Sequence, residues 1–295
     1  MTREGKLVLL SNAGPSGQGH ETVFPDLVAD ILGLPADTID LCYNDAATPR
    51  LAGTGSFGSR SLISHGGALT IGAKEIICKA RDLAAKELEV GAQDLTFEDG
   101  QFRVPGTDVA MSLKTIIQKH AGAAEHPLDT SATIDTATAF PSGAHIAEVE
   151  IDPETGTVEI LTYVAVDDCG KVYNHALVEG QLQGGLMQGI GQVLGEHIVY
   201  DPDTGQLLSG TFMDYFMPRA VNLPKITLKD MPVPSPANPL GAKGAGEAGA
   251  TGSIPALANA VLDALKPLKI HRVEMPFTPS RIWSAINAQV AQNTR

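Results

Sequence analysis

The sequence predicts an α+β fold in two lobes of similar size, residues 1–130 and 131–295. Both halves combine hairpin-like alternation of apolar and polar residues with long stretches of helical apolar spacing. Between them, residues 121–142 are rich in Ala, Thr and Pro and show little periodicity, and we place the boundary there. Each lobe is therefore expected to be a mixed β-sheet with packed helices.

The first lobe should alternate strands and helices along the chain. The pattern predicts, in order, a strand at Lys6–Ser11, a helix around Val23–Leu32, a strand at Ile39–Tyr43, a loop at Asp45–Ser61, a long helix at Ile63–Leu88 and a hairpin at Leu95–Val104. Gly33 and Pro35 end the first helix, and Pro25 within it favours a start near that residue, because proline is tolerated in a first turn.

The second lobe should open with a hairpin, since two alternating segments flank the turn-forming residues Pro153–Gly156. The elements predicted after it are a helix at Leu177–Glu196, a hairpin turned at Asp201–Gly205, a strand near Ile226, a helix at Ile254–Leu265 and a helix at Pro279–Val290.

Composition argues against several classes of function. Acidic residues outnumber basic ones 34 to 21, a formal charge of -13, which disfavours binding along a nucleic-acid backbone. We expect no membrane span and no secretory leader, because apolar runs such as Leu7–Leu10 are too short. Cys42, Cys78 and Cys169 form no CxxC pair, so we expect no iron–sulfur cluster or disulfide here, and a cytoplasmic location.

Two glycine-containing loops stand immediately before predicted helices. They are Gly17-Gln18-Gly19-His20 and Gly58-Ser59-Arg60-Ser61. Free backbone N–H groups at a helix start attract anions, glycine permits close approach, and a guanidinium can hold a phosphate through two hydrogen bonds. The alternatives are a tight strand-to-helix turn for the first loop, and a serine helix cap beside a solvated arginine for the second.

The predicted helix at Leu177–Glu196 carries two kinds of residue. An apolar stripe at i, i+4 spacing supplies a core face, while Gln181, Gln188 and Gln192 lie on another face among glycines. Each glycine costs the helix about 0.5–1 kcal/mol relative to Ala. A close helix–helix contact explains the glycines as well as a ligand does, whereas the glutamine amides suit polar ligand edges or metal-bound oxygens.

Residues 238–249 end in a glutamate surrounded by glycines. Gly244, Gly246 and Gly249 complete a GxGxxG pattern, but a proline-rich run precedes them where a dinucleotide-binding Rossmann fold requires a buried strand. The Rossmann interpretation is therefore disfavoured. What remains is Glu247, and an isolated glutamate there is more commonly a first-turn residue favoured by the helix dipole.

Several segments follow one another in one order along the chain. They are GQGHETV (17–23), GSRS (58–61), VDDCGKV-N (166–174), VEGQ-QGG-MQGIGQ (178–192), MDY-MPRA (213–220), NPLGAKGAGEAGATG (238–252) and MPFTPSRIW (275–283). Together they resemble the xanthine oxidase / aldehyde oxidase / CO dehydrogenase family of molybdenum hydroxylases, and the bacterial molybdenum subunits most. The resemblance covers nearly the whole chain and implies the molybdenum cofactor-binding domain fold.

The resemblance implies roles for individual residues. Glu247 matches the family's general base beside the molybdenum, and Gln188 matches the glutamine beside the metal's oxo ligand. The implied cofactor contacts are Gln18, Gly19, His20, Gly58, Ser59, Arg60, Ser61, Cys169, Asn174, Gln188, Lys243, Gly244 and Gly246. No protein ligand to the metal is implied, because the family holds molybdenum through the pterin dithiolene. The implied reaction is hydroxylation with water as the oxygen source.

The family's large subunit has a further half upstream of the matching region. We therefore expect this chain to be the C-terminal half of a split large subunit, an arrangement that resembles nicotinate dehydrogenase, with an N-terminal molybdenum chain as obligate partner. The resemblance implies a molybdopterin cytosine dinucleotide bound jointly with that partner, a [2Fe-2S] subunit, an FAD subunit, and a small aldehyde, N-heterocycle or similar substrate. The alternative is a non-catalytic cofactor-holding or assembly module, against which the retained Glu247, Gln188 and Lys243 argue.

Overall fold

The chain divides into two compact units. The computed structural model describes residues 1–43, 51, 53 and 55–293. Unit 1 comprises Met1–Ala139 and Pro234–Gly244, and unit 2 comprises Phe140–Val233 and Ala245–Arg295. The observed division after Ala139 lies in the Ala/Thr/Pro-rich stretch. Pro234–Gly244, which the sequence assigned to the second lobe, packs with unit 1 instead. Much of the predicted loop Asp45–Ser61 lies outside the described residues.

Within the described residues, unit 1 contains two small sheets and three α-helices. Its elements are β1 (Leu7–Ser11), α1 (His20–Leu32), β2 (Ile39–Tyr43), α2 (Gly67–Leu88), β3 (Thr96–Glu98), β4 (Gln101–Arg103), β5 (Ala110–Ser112) and α3 (Leu113–Lys119). Strand β1 precedes α1 in the chain and β2 follows it, and the two strands pair in parallel. Strands β3, β4 and β5 form an antiparallel sheet. The sequence pattern missed β5 and α3, because elements of three and seven residues are too short to show periodicity.

Helix α1 begins at His20, so the predicted start near Pro25 is wrong. The carbonyl of Gly19 accepts hydrogen bonds from the N–H groups of Thr22 and Val23, which closes a first turn upstream of the proline. Pro25 therefore stays inside the helix at the cost of one backbone hydrogen bond. The end of the helix is as predicted, since Gly33 adopts the left-handed conformation at φ 61°.

The core of unit 1 gathers side chains from α1, α2 and the antiparallel sheet with its following helix. Its fully buried members include Phe24, Leu32, Ala80, Phe102, Leu113 and Leu128. Because Phe24 and Leu32 lie near the two ends of α1, burial fixes the whole helix and with it the loop that precedes His20.

In the part of unit 2 that the structure describes, three α-helices pack with a three-stranded sheet. Its elements are β6 (Ser142–Ile151), β7 (Val158–Asp168), α4 (His175–Leu194), β8 (Ile226–Asp230), α5 (Ala248–Leu265) and α6 (Pro279–Asn293). The strand order is β6-β7-β8, with β6 and β7 antiparallel and β7 and β8 parallel. Among the helices of the described residues, none combines the length and the apolar character that crossing a membrane demands.

The second predicted hairpin of unit 2 forms its turn but not its strands. The carboxylate of Asp201 accepts hydrogen bonds from the N–H groups of Asp203 and Thr204. Within the described residues, the flanking segments pair only through the bridge between Tyr200 and Leu207. The turn is thus held by a local side chain, which is a signal that sequence alone does not separate from a true hairpin.

Helix α5 begins at Ala248, six residues before its predicted start at Ile254. The N–H of Thr251 donates to the carbonyl of Glu247 at 3.0 Å, so the glycine-rich residues of the motif are already helical. Packing overrides their weak helix propensity. The shared core of α4, α5 and α6 includes the buried residues Ile190, Leu257, Val261 and Ile282.

Candidate functional site

The loop from Gly17 to His20 is held open by its own side chains. Gly17 and Gly19 have φ angles of 89° and 81°, which favour glycine. The Gln18 amide donates to the carbonyl of Gly14 at 3.2 Å and accepts from Ser16. A Cβ added to Gly17 would meet nothing within 4 Å. The loop therefore presents open space beside the start of α1, which no side chain caps.

His20 supports this loop from inside. Its ring is buried, stacks on Phe24 with centroids 4.6 Å apart, and places Nδ1 3.2 Å from the carbonyl oxygen of Ala13. Burial lowers the pKa of His20, an effect that hydrogen bonds to the backbone of Ala13 and Gly14 oppose. The neutral ring donates its Nδ1–H to Ala13. Its side chain is thus structural, and its backbone N–H is the group placed at the helix start.

The segment from Gly58 to Ser61 presents polar groups rather than capping a helix. Ser61 Oγ lies 2.6 Å from Ser56 Oγ and makes no capping hydrogen bond to the following turn. The guanidinium of Arg60 lies 4.1 Å from the ring centroid of Phe57. The next turn, Leu62–Gly66, is π-helical, a feature frequent at functional sites. The serine-cap alternative is therefore wrong for Ser61.

The glycine-rich loop after the proline run meets this segment within unit 1. A Cβ on Gly244 would lie 2.7 Å from the Cβ of Ser59 and would overlap its carbonyl oxygen, so only glycine fits there. The buried Asn238 shapes the same loop, because its side chain accepts from the N–H groups of Leu240 and Ala242 and donates to the Ala242 carbonyl at 2.9 Å. Sequence reasoning missed Asn238, although an asparagine before Pro-X-Gly is a known turn signal. Lys243 lies in this loop, partly buried.

In unit 2, Glu247 occupies the N-cap position of α5. Its side chain is exposed, and its φ and ψ angles are -107° and -5°. The alternative that made Glu247 a residue of the first helical turn is wrong by one position, since the helix begins at Ala248. Gly246, immediately before it, is also exposed. A carboxylate at this position faces the positive end of the helix dipole.

Helix α4 separates its glutamines from its packing glycines. Gln188 and Gln192 are exposed. A Cβ on Gly185 would lie 3.0 Å from the backbone nitrogen of Ala250, and one on Gly189 would overlap the hydroxyl of Ser253. The glycines therefore serve a close contact with α5, as one alternative held, and the glutamines stay available to a ligand.

Gln188 and Glu247 are each a few residues along the chain from the contact between α4 and α5. Gly249, two residues after Glu247, packs against α4, where an added Cβ would lie 2.8 Å from the backbone nitrogen of Leu186. Gly185, three residues before Gln188, is its counterpart on α4. Each functional candidate is thus within one helical turn of the contact.

Cys169 and Asn174 flank the turn from β7 into α4. Asn174 Oδ1 accepts the N–H of Leu177 at 3.1 Å, which makes it the cap of α4. Cys169 is buried, and the neighbouring Asp168 accepts from the N–H groups of Gly170 and Val233. A cofactor contact by either residue stays a prediction. In the described ranges, no group of three or more His, Cys, Asp or Glu residues could hold a metal ion.

Comparison with known proteins decides the family. Residues 1–224 match the family model described as the molybdopterin cofactor-binding domain. The chain belongs to this family. The resemblance to the xanthine oxidase / aldehyde oxidase / CO dehydrogenase proteins, predicted from the sequence, is confirmed.

Relatives of this family match almost the whole chain. The carbon monoxide dehydrogenase large chain of Hydrogenophaga pseudoflava is 36% identical over 92% of this chain and 34% of its own length. The nicotine 6-hydroxylase large subunit of Paenarthrobacter nicotinovorans is 35% identical over 97% of this chain and 36% of its own. The crystal structure of a Cu,Mo-CO dehydrogenase matches with a TM-score of 0.87 at 32% identity, covering 98% of this chain and 37% of that one. The predicted α+β fold is thereby confirmed, and the chain spans about a third of the length of these relatives.

The loops of unit 1 fit the group for which the family is named. Molybdopterin carries phosphate, which binds well to backbone N–H groups at a helix start and to guanidinium and hydroxyl groups. Open space beside Gly17, the uncapped start of α1, the exposed Arg60 and the Ser56–Ser61 hydroxyl pair supply these groups.

Proposed function

We propose that this chain contributes to the molybdenum site of a multi-subunit molybdenum hydroxylase, with Glu247 as its general base. When bound, the cofactor supplies hydroxylation of a carbon centre with water as the source of oxygen. The observation that carries the proposal is the exposed Glu247 carboxylate at the N-cap of α5, in a chain that belongs to the molybdopterin cofactor-binding domain family.

Unit 1 would hold the phosphate-bearing part of the cofactor. Gly19 and His20 would bind it through backbone N–H groups at the start of α1, and Arg60 and Ser61 through their side chains. Gln18, Gly58, Ser59, Lys243 and Gly244 would shape the same loops, since the Gly244 backbone packs directly on Ser59. This set supports the proposed cofactor contacts without requiring a protein ligand to the metal.

Unit 2 would act on protons and on orientation. The Glu247 carboxylate, at the start of α5, would accept a proton from water as its oxygen is transferred to the substrate. The Gln188 amide offers both a donor and an acceptor to a neighbouring polar atom. Cys169, Asn174 and Gly246 would contribute backbone contacts around the turns that precede α4 and α5.

The complete enzyme would need residues beyond these 295. The relatives are about three times as long as the matched region, and two are named as a large chain and a large subunit. We propose that an N-terminal molybdenum-subunit segment, as a separate chain or otherwise, completes the cofactor site, with [2Fe-2S] and FAD subunits accepting electrons. A cytosine dinucleotide form of the cofactor, a small aldehyde, N-heterocycle or similar substrate, and a cytoplasmic location stay predictions.

Replacing Glu247 with Gln in the co-expressed complex tests the proposal. The amide keeps the size of the side chain but cannot accept the proton, so turnover should fall by about 10²- to 10⁴-fold while molybdenum content stays unchanged. Steady-state kinetics and metal analysis measure the two quantities. Glu179→Gln, at an exposed glutamate of α4, is the matched control and should retain full turnover.

Two results would separate the alternatives. Undiminished turnover in the Glu247→Gln complex contradicts its role as a base. A complex that contains no molybdenum in the wild type or in either variant favours the assembly-module alternative, in which the chain hands the cofactor on and takes no part in catalysis.

A further inference from the structure

Three buried polar side chains in unit 2 form a connected network that the proposed function does not use. The side chains of His145 and Asp167 are 3% and 5% exposed, and Tyr163 is fully buried. His145 Nδ1 lies 3.0 Å from the Tyr163 hydroxyl, and Nε2 lies 3.2 and 3.3 Å from the two carboxylate oxygens of Asp167. The network joins β6 to β7 at the inner face of the sheet.

The hydrogen-bond donors in this network can be assigned. Burial and the negative charge of Asp167 raise the pKa of Tyr163, so its hydroxyl stays protonated and donates to His145 Nδ1. The imidazole then carries its hydrogen on Nε2 and donates it to Asp167. Every side chain has a partner in this arrangement, which locks the orientation of the ring.

The locked ring packs directly on α5. A Cβ added to Gly252 would lie 2.6 Å from His145 Cγ, and it would overlap Nδ1 and Cε1 as well. Gly252 follows Glu247 by five residues, so the contact falls in the second turn of the helix. Gly249, between them, packs on α4 at the backbone of Leu182 and Leu186. The first turns of α5 are therefore held by α4 and by the imidazole together.

The contacts of α5 with α4 and His145 matter because the first turns of α5 lack part of their own backbone hydrogen bonding. Pro255 has no N–H to donate to the carbonyl of Thr251, so one backbone hydrogen bond between the first turn and the rest of α5 is missing. Residues 248–252 also include two glycines, which are poor helix formers. The start of the helix depends on its neighbours for its position.

We propose that His145, oriented by Tyr163 and Asp167, is a positioning residue that fixes the first turns of α5 and thereby the Glu247 carboxylate. The restraint on α5 stands on contacts within unit 2 alone, whereas its catalytic consequence rests on the proposed function of Glu247. Sequence reasoning missed this network. The signal was a histidine on the inward-facing side of an alternating strand, where Ala147 and Val149 follow at every second position.

Hydrogen exchange on the full chain in its co-expressed complex tests the restraint. Tyr163→Phe keeps the buried ring but removes the hydroxyl, which leaves Nδ1 of His145 without its donor. Amide exchange in residues 248–254 should rise about tenfold, in keeping with the loss of one buried hydrogen bond, while exchange in α6 stays unchanged. Tyr215→Phe is the matched control, because it removes a hydroxyl bonded to Glu196 elsewhere in unit 2 and should leave α5 unaffected.

Two further readouts separate positioning from general loss of structure. Imidazole nitrogen NMR should find the hydrogen of His145 on Nε2 in the wild-type chain. In the Tyr163→Phe complex, kcat should fall several-fold while KM stays within about twofold and molybdenum content stays unchanged, because only the alignment of the base is disturbed.

The outcomes distinguish this inference from the proposed function. Unchanged exchange in residues 248–254 of Tyr163→Phe, or a hydrogen found on Nδ1 of His145, would overturn the inference even if Glu247→Gln were inactive. Full turnover by Glu247→Gln would overturn the proposed function, whereas faster exchange at α5 would still uphold the restraint by His145.

Discussion

The loop glycines Gly17 and Gly58 of unit 1 and the helix glycines Gly185 and Gly249 of unit 2 look alike in the sequence but have opposite roles. In the loops before α1 and α2, Gly17 and Gly58 have positive φ angles, and a Cβ added at either would clash with nothing. On α4 and α5, Gly185 and Gly249 are helical, and an added Cβ would collide with the backbone of the other helix. The first group shapes a surface, and the second group closes a contact.

This difference explains why the glycine loops of unit 1 and the glycines of α4 and α5 are expected to have different functions. An open glycine loop leaves backbone N–H groups accessible to a phosphate, which is what a cofactor needs. A packed glycine lets two helices approach closely, which places Glu247 and Gln188 beside one rigid crossing. Substitutions in the two groups should therefore destabilise the chain for different reasons, and the losses of stability can be compared.

Gly249→Ala should give the largest loss of stability. Its Cβ would overlap the carbonyl oxygen of Leu182 and lie 2.8 Å from the nitrogen of Leu186, and backbone cannot swing aside as a flexible side chain can. Overpacking of this kind costs about 1–3 kcal/mol. Chemical denaturation of the chain measures the change. A loss below a few tenths of a kcal/mol would mean that α4 and α5 are not in close contact.

Gly184→Ala is the matched control, because it makes the same substitution on α4, the helix that Gly249 contacts, with the opposite expected sign. A Cβ at Gly184 meets nothing within 4 Å, so alanine should stabilise the chain by about 0.5–1 kcal/mol through its higher helix propensity. A clear destabilisation at Gly184 would show that the glycines of α4 do not divide into packed and open positions as described.

Gly17→Ala should lose less stability than Gly249→Ala does, and the loss should come from backbone conformation alone. At φ 89° an L-residue with a Cβ costs on the order of 1 kcal/mol, although the space beside the residue is open. Gly17→Asn should recover part of that loss, because asparagine tolerates the left-handed region. Denaturation of the three proteins side by side checks the order. Equal losses for Ala and Asn would point to contacts, rather than conformation, at this loop.

Most elements of the fold could be predicted, because periodicity reports burial directly. The long helix α2 and the hairpin of β6 and β7 show clear 3.6- and 2-residue patterns and formed as expected. The start of α5 could not be predicted, because its glycine-rich first turns are held by contacts with α4 and with His145 that leave no local pattern. The assignment of Pro234–Gly244 to unit 1 was also hidden, since no local pattern tells which neighbours a loop will find.

The candidate site divides in the same way. Residues with a local signature, such as Gly58, Gly244 and Glu247, could be named from motif resemblance. The structure then adds what motifs omit, namely that Gly244 packs on Ser59 and that Asn174 caps α4. The His145 network could not be assembled from the sequence, because His145 is distant along the chain from Tyr163 and Asp167 and only the pairing of β6 with β7 brings them together.

His20 offers the smallest effect and the most direct test of the unit 1 loop. Its pKa is lowered chiefly by burial, so below the unfolded value of 6.5 the unfolded chain binds the proton more readily than the folded chain does. Its contribution to stability is therefore present above pH 6.5 and is lost as pH falls from there towards the folded pKa. His20→Asn keeps a donor for the Ala13 carbonyl but cannot titrate, so its stability should decline less between pH 7 and pH 5 than that of the wild type. Thermal unfolding at several pH values measures both slopes. Identical slopes would mean that the pKa of His20 is the same in the folded and the unfolded chain, and hence that its ring is not buried. The loop would then lack the buried support that holds Gly17 and Gly19 in place.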